Sequence, residues 1–197
     1  MTLKPKHSIK SKAQRGVALL ELMIAILVLA FGLLGLLPLI VGSIGTNTNN
    51  RLDSAAVLLA QSISEHIAAQ AASGAPLLQL TDCAGNVWNV NTAGAPAAGA
   101  GALLFTGASA PSPAMVDSID FLNQNTGAVP AGYQAAFRTC DANGIRTTYD
   151  VRWNIRSLTA VTKLVTVAAR PRFNAGQRLN AQFTVPVSLR TVVGQVP

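Results

Sequence analysis

Residues that carry chemistry are scarce in this chain. Histidine occurs only as His7 and His66, and cysteine only as Cys83 and Cys140. That cysteine spacing fits neither a Cys-x-x-Cys redox pair nor a zinc pattern. His66, beside Glu65, has no partner of catalytic type and reads as a helix-surface or sheet-contact residue. No G-x-S-x-G, H-E-x-x-H or P-loop sequence occurs. Asp141-Ala142-Asn143-Gly144 lacks the remaining ligands and the closing glutamate of a calcium loop, and reads instead as a hairpin turn. No cofactor, metal site or catalytic cluster is therefore expected, nor is an enzyme. Charge is thin as well. From Leu22 to Asn50 there is none at all.

That uncharged run belongs to the stretch that organises the chain, residues 16–44, GVALLELMIAILVLAFGLLGLLPLIVGSI. As a helix rising 1.5 Å per residue it would cross roughly 30 Å of hydrocarbon. Its one charge is Glu21. A carboxylate inside a membrane helix costs about 2.5–3.5 kcal/mol at the bilayer centre and less near the interface, so it marks function by default. An interfacial acid favoured by the helix N-terminus is the plainer alternative. Lys4, Lys6, Lys10, Lys12 and Arg15 precede the run. Without them the net charge falls from +7 to ten basic against eight acidic residues. The basic excess is thus largely a property of the leader. By the positive-inside rule it keeps the first residues cytoplasmic and sends the rest outward. A secretory signal peptide has a shorter apolar core, with its small-residue cleavage site after that core. Here the candidate glycine, Gly16, comes first.

A basic leader, Gly16, then Val17-Ala18-Leu19-Leu20-Glu21-Leu22-Met23 resembles the type IV prepilin signal, in which glutamate is the fifth residue after the glycine. Pro38 falls where many type IV pilins carry a proline. Phe31-Gly32-Leu33-Leu34-Gly35-Leu36 is similar to a phrase of PilV-type minor pilins, and also presents a small-residue face for close helix approach. The resemblance implies cleavage by a prepilin peptidase between Gly16 and Val17, followed by N-methylation of Val17. It implies that Glu21 of a neighbouring subunit pairs with the new ammonium, with Glu21 and Pro38 serving subunit assembly. The fold it implies is α+β, a long N-terminal helix on a C-terminal antiparallel sheet.

Five regions are expected: a leader (1–16), the transmembrane and assembly helix (17–45), its amphipathic continuation (46–75), a loop-rich αβ region (76–130) and an antiparallel sheet region (131–197). Thr46-Asn47-Thr48-Asn49-Asn50 would mark emergence from the bilayer, with a bend near residues 42–50. Leu52, Ala56, Leu59, Ile63 and Ile67 recur at spacings of three and four, while Arg51, Asp53, Gln61, Ser64 and Glu65 mostly take other directions. Ser73-Gly74-Ala75-Pro76 stops the helix. Residues 91–114, rich in Ala, Gly, Pro and Ser, read as a mobile surface connection with one short strand around Leu103–Thr106.

Further on, Tyr149, Val151, Trp153 and Ile155 alternate with Asp150, Arg152, Asn154 and Arg156, which predicts a half-buried strand with a charged outer face. Residues 161–169 and 182–189 read as two more strands, the latter with Phe183, Val185, Val187 and Leu189 on one face. Pro186 favours an edge, and residues 170–176 form a loop between the two. If this region is exported, Cys83 and Cys140 meet an oxidising compartment and a disulfide is expected, two buried free thiols being the alternative. Arg138, Arg146, Arg152, Arg156, Arg170, Arg172 and Arg178 could bind DNA or an acidic partner if several share one face. The sequence favours a solvated outer sheet face, for want of interleaved aromatics.

The function expected is that of a minor pilin of a type IV pilus. It would sit in the bacterial inner membrane by one helix with its body in the periplasm, and then enter the pilus at the cell surface. Its partners would be prepilin peptidase, other major and minor pilins, the inner-membrane assembly platform and membrane lipid, with nucleic acid disfavoured. The alternatives are a pseudopilin of type II secretion, an adhesive or DNA-binding minor subunit, and a plain signal-anchored domain.

Overall fold

A computed structural model describes residues 14–73, 77–141, 144–172 and 185–194. The leader before Gln14, the Gly74-Ala75-Pro76 stop, Ala142 and Asn143, and segment 173–184 with Phe183 and Arg178 lie outside the described residues. One helix, α1, is assigned without interruption from Gln14 to Ser73, and the chain divides into two compact units, Met1–Asn47 and Thr48–Pro197. In the first unit α1 carries Pro38 and stays helical through the polar Thr46 and Asn47. There Thr46 Oγ1 donates back to the Gly42 carbonyl at 3.0 Å, a bond that lets a polar side chain ride on a helix without breaking it.

In the second unit the apolar stripe of α1 is the core. Ala56, Ala60, Ile63 and Ile67 are at most 2% exposed, as their spacing requires for one helical face. Burying isoleucines such as Ile63 and Ile67 contributes about 1.5–3 kcal/mol each. Ser64, expected to point elsewhere, is buried on this face too. Its hydroxyl is satisfied 3.0 Å from that of Thr191, which is why a polar residue is tolerated there.

The larger sheet is built from β3 (Ala100–Gly101), β4 (Gln134–Asp141), β5 (Gly144–Ser157), β6 (Thr162–Arg172) and β7 (Val187–Gly194). β5 is central. β4 and the short β3 lie end to end along one of its edges, β6 pairs with the other, and β7 follows β6, all antiparallel. β4 and β5 are paired antiparallel up to Asp141↔Gly144, on either side of the expected turn residues Ala142 and Asn143. Tyr149, Val151, Trp153 and Ile155 of β5 face α1 and stack in register with Pro171, Ala169, Val167 and Val165 of β6. Tyr149 Oη donates to the Leu52 carbonyl at 3.2 Å.

Four expectations are corrected. β6 runs on through Arg170-Pro171-Arg172, expected to be loop, because Pro171 packs buried opposite Tyr149 where it has no β7 neighbour needing an N–H. Of the strand expected over 182–189, residues 182–184 lie outside the described residues, Val185 and Pro186 are not strand, and β7 runs from Val187 to Gly194, on the edge of the sheet as Pro186 led one to expect. Val185 is 70% exposed rather than on the inner face. Region 76–130 contains a second sheet, the hairpin β1 (Leu77–Thr81) and β2 (Val87–Asn91), where none was expected. Its alternation is short but real, with Leu78, Leu80, Trp88 and Val90 turned toward the core.

The largest correction concerns the outer face of β5. Asp150, Arg152 and Asn154 are each at most 2% exposed, not solvated. Segment 95–129 covers them. Its Ala95 and Ala102 N–H groups donate to the Ile155 and Trp153 carbonyls of β5, the Ala95 carbonyl accepts from the Ser157 N–H, and Asn154 Nδ2 donates to the Ala98 and Ala102 carbonyls at 3.2 and 2.8 Å. Gly101 makes this approach achievable. At φ +113° an added Cβ would strike the Trp153 carbonyl and the Tyr133 ring, a conformation and a closeness that only glycine tolerates. The segment is therefore a third layer rather than a free connection. It contains the bridge Leu104↔Ile119 in place of the strand expected near Leu103.

Candidate functional site

Two places gather the functional candidates, one in each unit. In the first, Gly16 and Val17 lie in the opening turns of α1, which begins at Gln14. Glu21 follows Val17 by four residues, so the two backbone positions share a helix face. From Leu19 to Ile44 every large apolar side chain is at least 53% exposed. They surround the helix rather than forming a stripe, a pattern that belongs in hydrocarbon or among partner helices and not in water. Residues 18–44 would extend about 40 Å, enough to span a bilayer with some tilt. Pro38 has no N–H to offer the Leu34 carbonyl, so one rung of the helix ladder is missing there. Gly32, Gly35, Gly42 and Gly45 each have nothing within 4 Å of where a Cβ would stand. Packing inside the chain therefore does not require these glycines.

In the second unit, Cys83 and Cys140 are bonded, with Cα atoms 5.9 Å apart. The bond joins the tip of the β1–β2 hairpin to the end of β4. In the chain-entropy model, closing a loop of this length contributes about 4 kcal/mol. The tip itself is organised by Asp82. Its Oδ1 accepts from the Ala84 and Asn86 N–H groups at 3.0 and 2.9 Å, and its Oδ2 from Asn86 Nδ2 at 2.9 Å and Trp88 Nε1 at 3.4 Å. Burial alone would raise the Asp82 pKa, but these donors outweigh it and hold the carboxyl below its ordinary value.

Beneath the third layer lies a charged cluster that alternation alone did not reveal as buried. Arg152 Nη2 and Asp150 Oδ2 are 3.0 Å apart, with side chains 1% and 3% exposed. Arg152 Nη1 also donates to the Gln124 carbonyl at 2.7 Å. Arg170 reaches the same Oδ2 at 3.4 Å from a side chain 34% exposed. Both guanidiniums lie over the Phe121 ring, 4.6 and 4.5 Å from its centroid, a cation–π arrangement. Burial lowers the Arg170 pKa. Asp150 opposes that shift, while the neighbouring Arg152 and Arg172 add to it. The ion pair was invisible to sequence reasoning because Asp150 and Arg152 stand two apart on one strand face, the spacing of an ordinary exposed pair. Tyr133 and Tyr149 have raised pKa values from burial, with Asp53 adding to the shift at Tyr149.

The register brings most of the sequence-predicted arginines to one face. Arg138 and Arg172 both pair with Thr148, and Arg170 pairs with Asp150. With Arg152 and Arg156 they alternate on the side of the sheet away from α1. His66 is exposed on the helix, its Nδ1 2.7 Å from the Ser62 carbonyl. Among the described residues no group of three or more His, Cys, Asp or Glu is placed to hold a metal.

Residues 11–37 match the family model described as the prokaryotic N-terminal methylation motif, which marks type IV prepilin-like chains. No curated protein and no solved structure gives a significant match. Methylation motif, apolar helix and α+β body thus occur in one chain.

Proposed function

We propose that this chain is the precursor of a minor pilin of a type IV pilus, of the PilV type, anchored in the bacterial inner membrane with residues 48–197 on the periplasmic side. The observation that carries the reading is the coincidence of the methylation motif with a helical stretch, residues 18–44, that is exposed on all sides and charged only at Glu21. The motif indicates a structural subunit of pilin type, one that is processed by prepilin peptidase and assembles with other pilins.

The processing step is hydrolysis of the Gly16–Val17 amide. Water supplies the oxygen of the new Gly16 carboxylate, and Val17 keeps the nitrogen as an amine, which in its neutral form takes a methyl group from a methyl donor, and which is an ammonium once protonated. The consequence is electrostatic. The leader removes five positive charges and leaves one, at Val17, at the end of an apolar helix. A lone ammonium among apolar helices is costly, and a carboxylate brought to it offsets that cost. Glu21 of an adjoining subunit would supply the carboxylate. Pairing would then be satisfied only when neighbouring helices stand in the correct stagger, so it acts as a register check.

Intact mass and N-terminal sequencing of the protein from its native host test the reading. A chain beginning at methylated Val17 is expected. A chain that keeps residues 1–16 in cells with active prepilin peptidase would reduce the protein to a signal-anchored domain. A pseudopilin of type II secretion would carry the same mature N-terminus. Co-purification with pilus components rather than secretion components is expected to separate the two.

A further inference from the structure

We propose that the end of the second unit at which α1 enters it is a docking surface for anionic phospholipid headgroups, with Arg51, Arg138 and Arg172 as its contacts. Two helix contacts and the strand register fix which end this is. Tyr149 Oη of β5 meets the Leu52 carbonyl of α1 at 3.2 Å. Thr191 of β7 shares a cross-strand row with Val165 and Ile155, and its hydroxyl lies 3.0 Å from that of Ser64. Residue numbers on β5 and on α1 therefore rise in the same direction. The row Arg138–Thr148–Arg172, one residue before Tyr149, lies toward Thr48, where the unit begins. Arg51 stands beside Leu52 on α1 itself. All three arginines are exposed. One comes from the helix layer and two from the sheet face turned away from it, so cations stand on both sides of this end.

Chain length decides what faces that end. The apolar run closes at Ile44, four residues before Thr48. Four residues span about 6 Å as helix and at most about 14 Å fully extended. With residues 18–44 in a bilayer, this end of the unit is tethered beside the headgroups, which form a layer about 5–7 Å thick on each side of the hydrocarbon. A cation within a Debye length of them, about 8 Å at physiological ionic strength, feels their charge. The long arginine stem lets the guanidinium reach toward them. Charge complementarity then selects the kind of headgroup. Residues 138–148 and 170–184 hold five arginines and one acid, Asp141. Of the other acids near this end, Asp53 is half-buried and Asp150 is already bonded to Arg152 and Arg170. Each arginine brought to an anionic surface favours the docked state about fivefold. Docking holds the body on the membrane that its helix spans, and the arginines must release the lipid when the helix is withdrawn. The inference rests on the membrane-spanning reading of residues 18–44 and goes beyond it, since an anchor alone gives the body no preference among lipids.

The test is energy transfer from Trp88 and Trp153, both in the second unit, to dansyl-labelled headgroups in nanodiscs that carry the full chain. Discs of phosphatidylcholine alone are compared with discs that also contain phosphatidylglycerol. Transfer is expected to be higher in the anionic discs and to fall to the neutral level in high salt. Arg138→Gln with Arg172→Gln is expected to remove most of that excess, and the addition of Arg51→Gln the rest. Lys163→Gln with Arg190→Gln removes the same charge as the first pair from rows about 20–30 Å further along the sheet, and is expected to leave the excess in place. Arg51→Lys, Arg138→Lys and Arg172→Lys together are expected to keep it, because a phosphate accepts either cation. Equal transfer in the two kinds of disc would overturn the proposal. So would an excess that survives the triple glutamine variant, one that the control pair lowers as much as the arginine pair does, or one that the lysine form loses. Entry into the discs is scored separately by size exclusion. A chain that stays out defeats the membrane-spanning reading, whereas one that enters and ignores anionic lipid defeats only this inference.

Discussion

Asp150 shows how far one residue's environment can depart from its local pattern. It accepts from Arg152 Nε and Nη2 at 3.2 and 3.0 Å and leaves Arg152 almost no contact with solvent. Asp150→Ala would strand a buried guanidinium and is expected to cost about 3–5 kcal/mol in urea denaturation. Replacing both residues with apolar side chains of similar volume is expected to recover much of that loss, since the pair is dear to bury and only breaking it is punished. Alternation along β5 correctly located Tyr149, Val151, Trp153 and Ile155 in the core. It left Asp150, Arg152 and Asn154 on a solvated face, because nothing local says that another segment will cover a strand. Asp82 makes a different kind of prediction. Its folded pKa is depressed, so its contribution is present above the unfolded value of about 3.9 and is lost as pH falls through the folded pKa. The stability difference between the parent and Asp82→Ala, measured by denaturation from pH 7 downward, is therefore expected to shrink in acid.

Among the elements, α1 was the most legible. Its apolar residues keep a helical period over many turns, and the buried set of Ala56, Leu59, Ile63 and Ile67 matches the expected stripe. Ile67→Ala is expected to cost about 2–5 kcal/mol through lost burial and the cavity left behind, read as a drop in denaturation midpoint. The β1–β2 hairpin was not legible. Each strand has five residues, too few for alternation to stand above a polar background, and its turn is made by the Asp82 carboxylate rather than by a two-residue Asn-Gly type sequence. Segment 95–129 was misread for a related reason. Its composition is that of a loop, and its one strand, β3, has two residues, yet its carbonyls are acceptors for Asn154 and Arg152. Composition reports the absence of repeating structure, not the absence of order. Gly101→Ala is expected to loosen this layer and to lower the denaturation midpoint by more than an exposed substitution such as Gly107→Ala, where nothing stands within 4 Å.

For the whole molecule, the methylation motif and the α+β architecture were both readable in advance, the first from Gly16, Glu21 and the apolar run, the second from the order of periods along the chain. The arginine face was not, because it needs the register of β4, β5 and β6. Glu21→Gln is expected to leave the folded body unchanged but to reduce incorporation of the processed chain into filaments, measured by immunoblot of sheared surface fractions. Unchanged incorporation would remove the proposed role of the carboxylate. The bond between Cys83 and Cys140 has a last consequence, for damage. Nearly all of the third layer, including the exposed residues Ser109, Pro111 and Ser112, lies inside the ring that this bond closes. A protease that cuts the backbone there produces no free fragment. The severed chain stays one covalent object, migrating as intact protein without reductant and as two pieces with it. A subunit displayed outside the cell could thus be nicked in this exposed stretch and still keep its place.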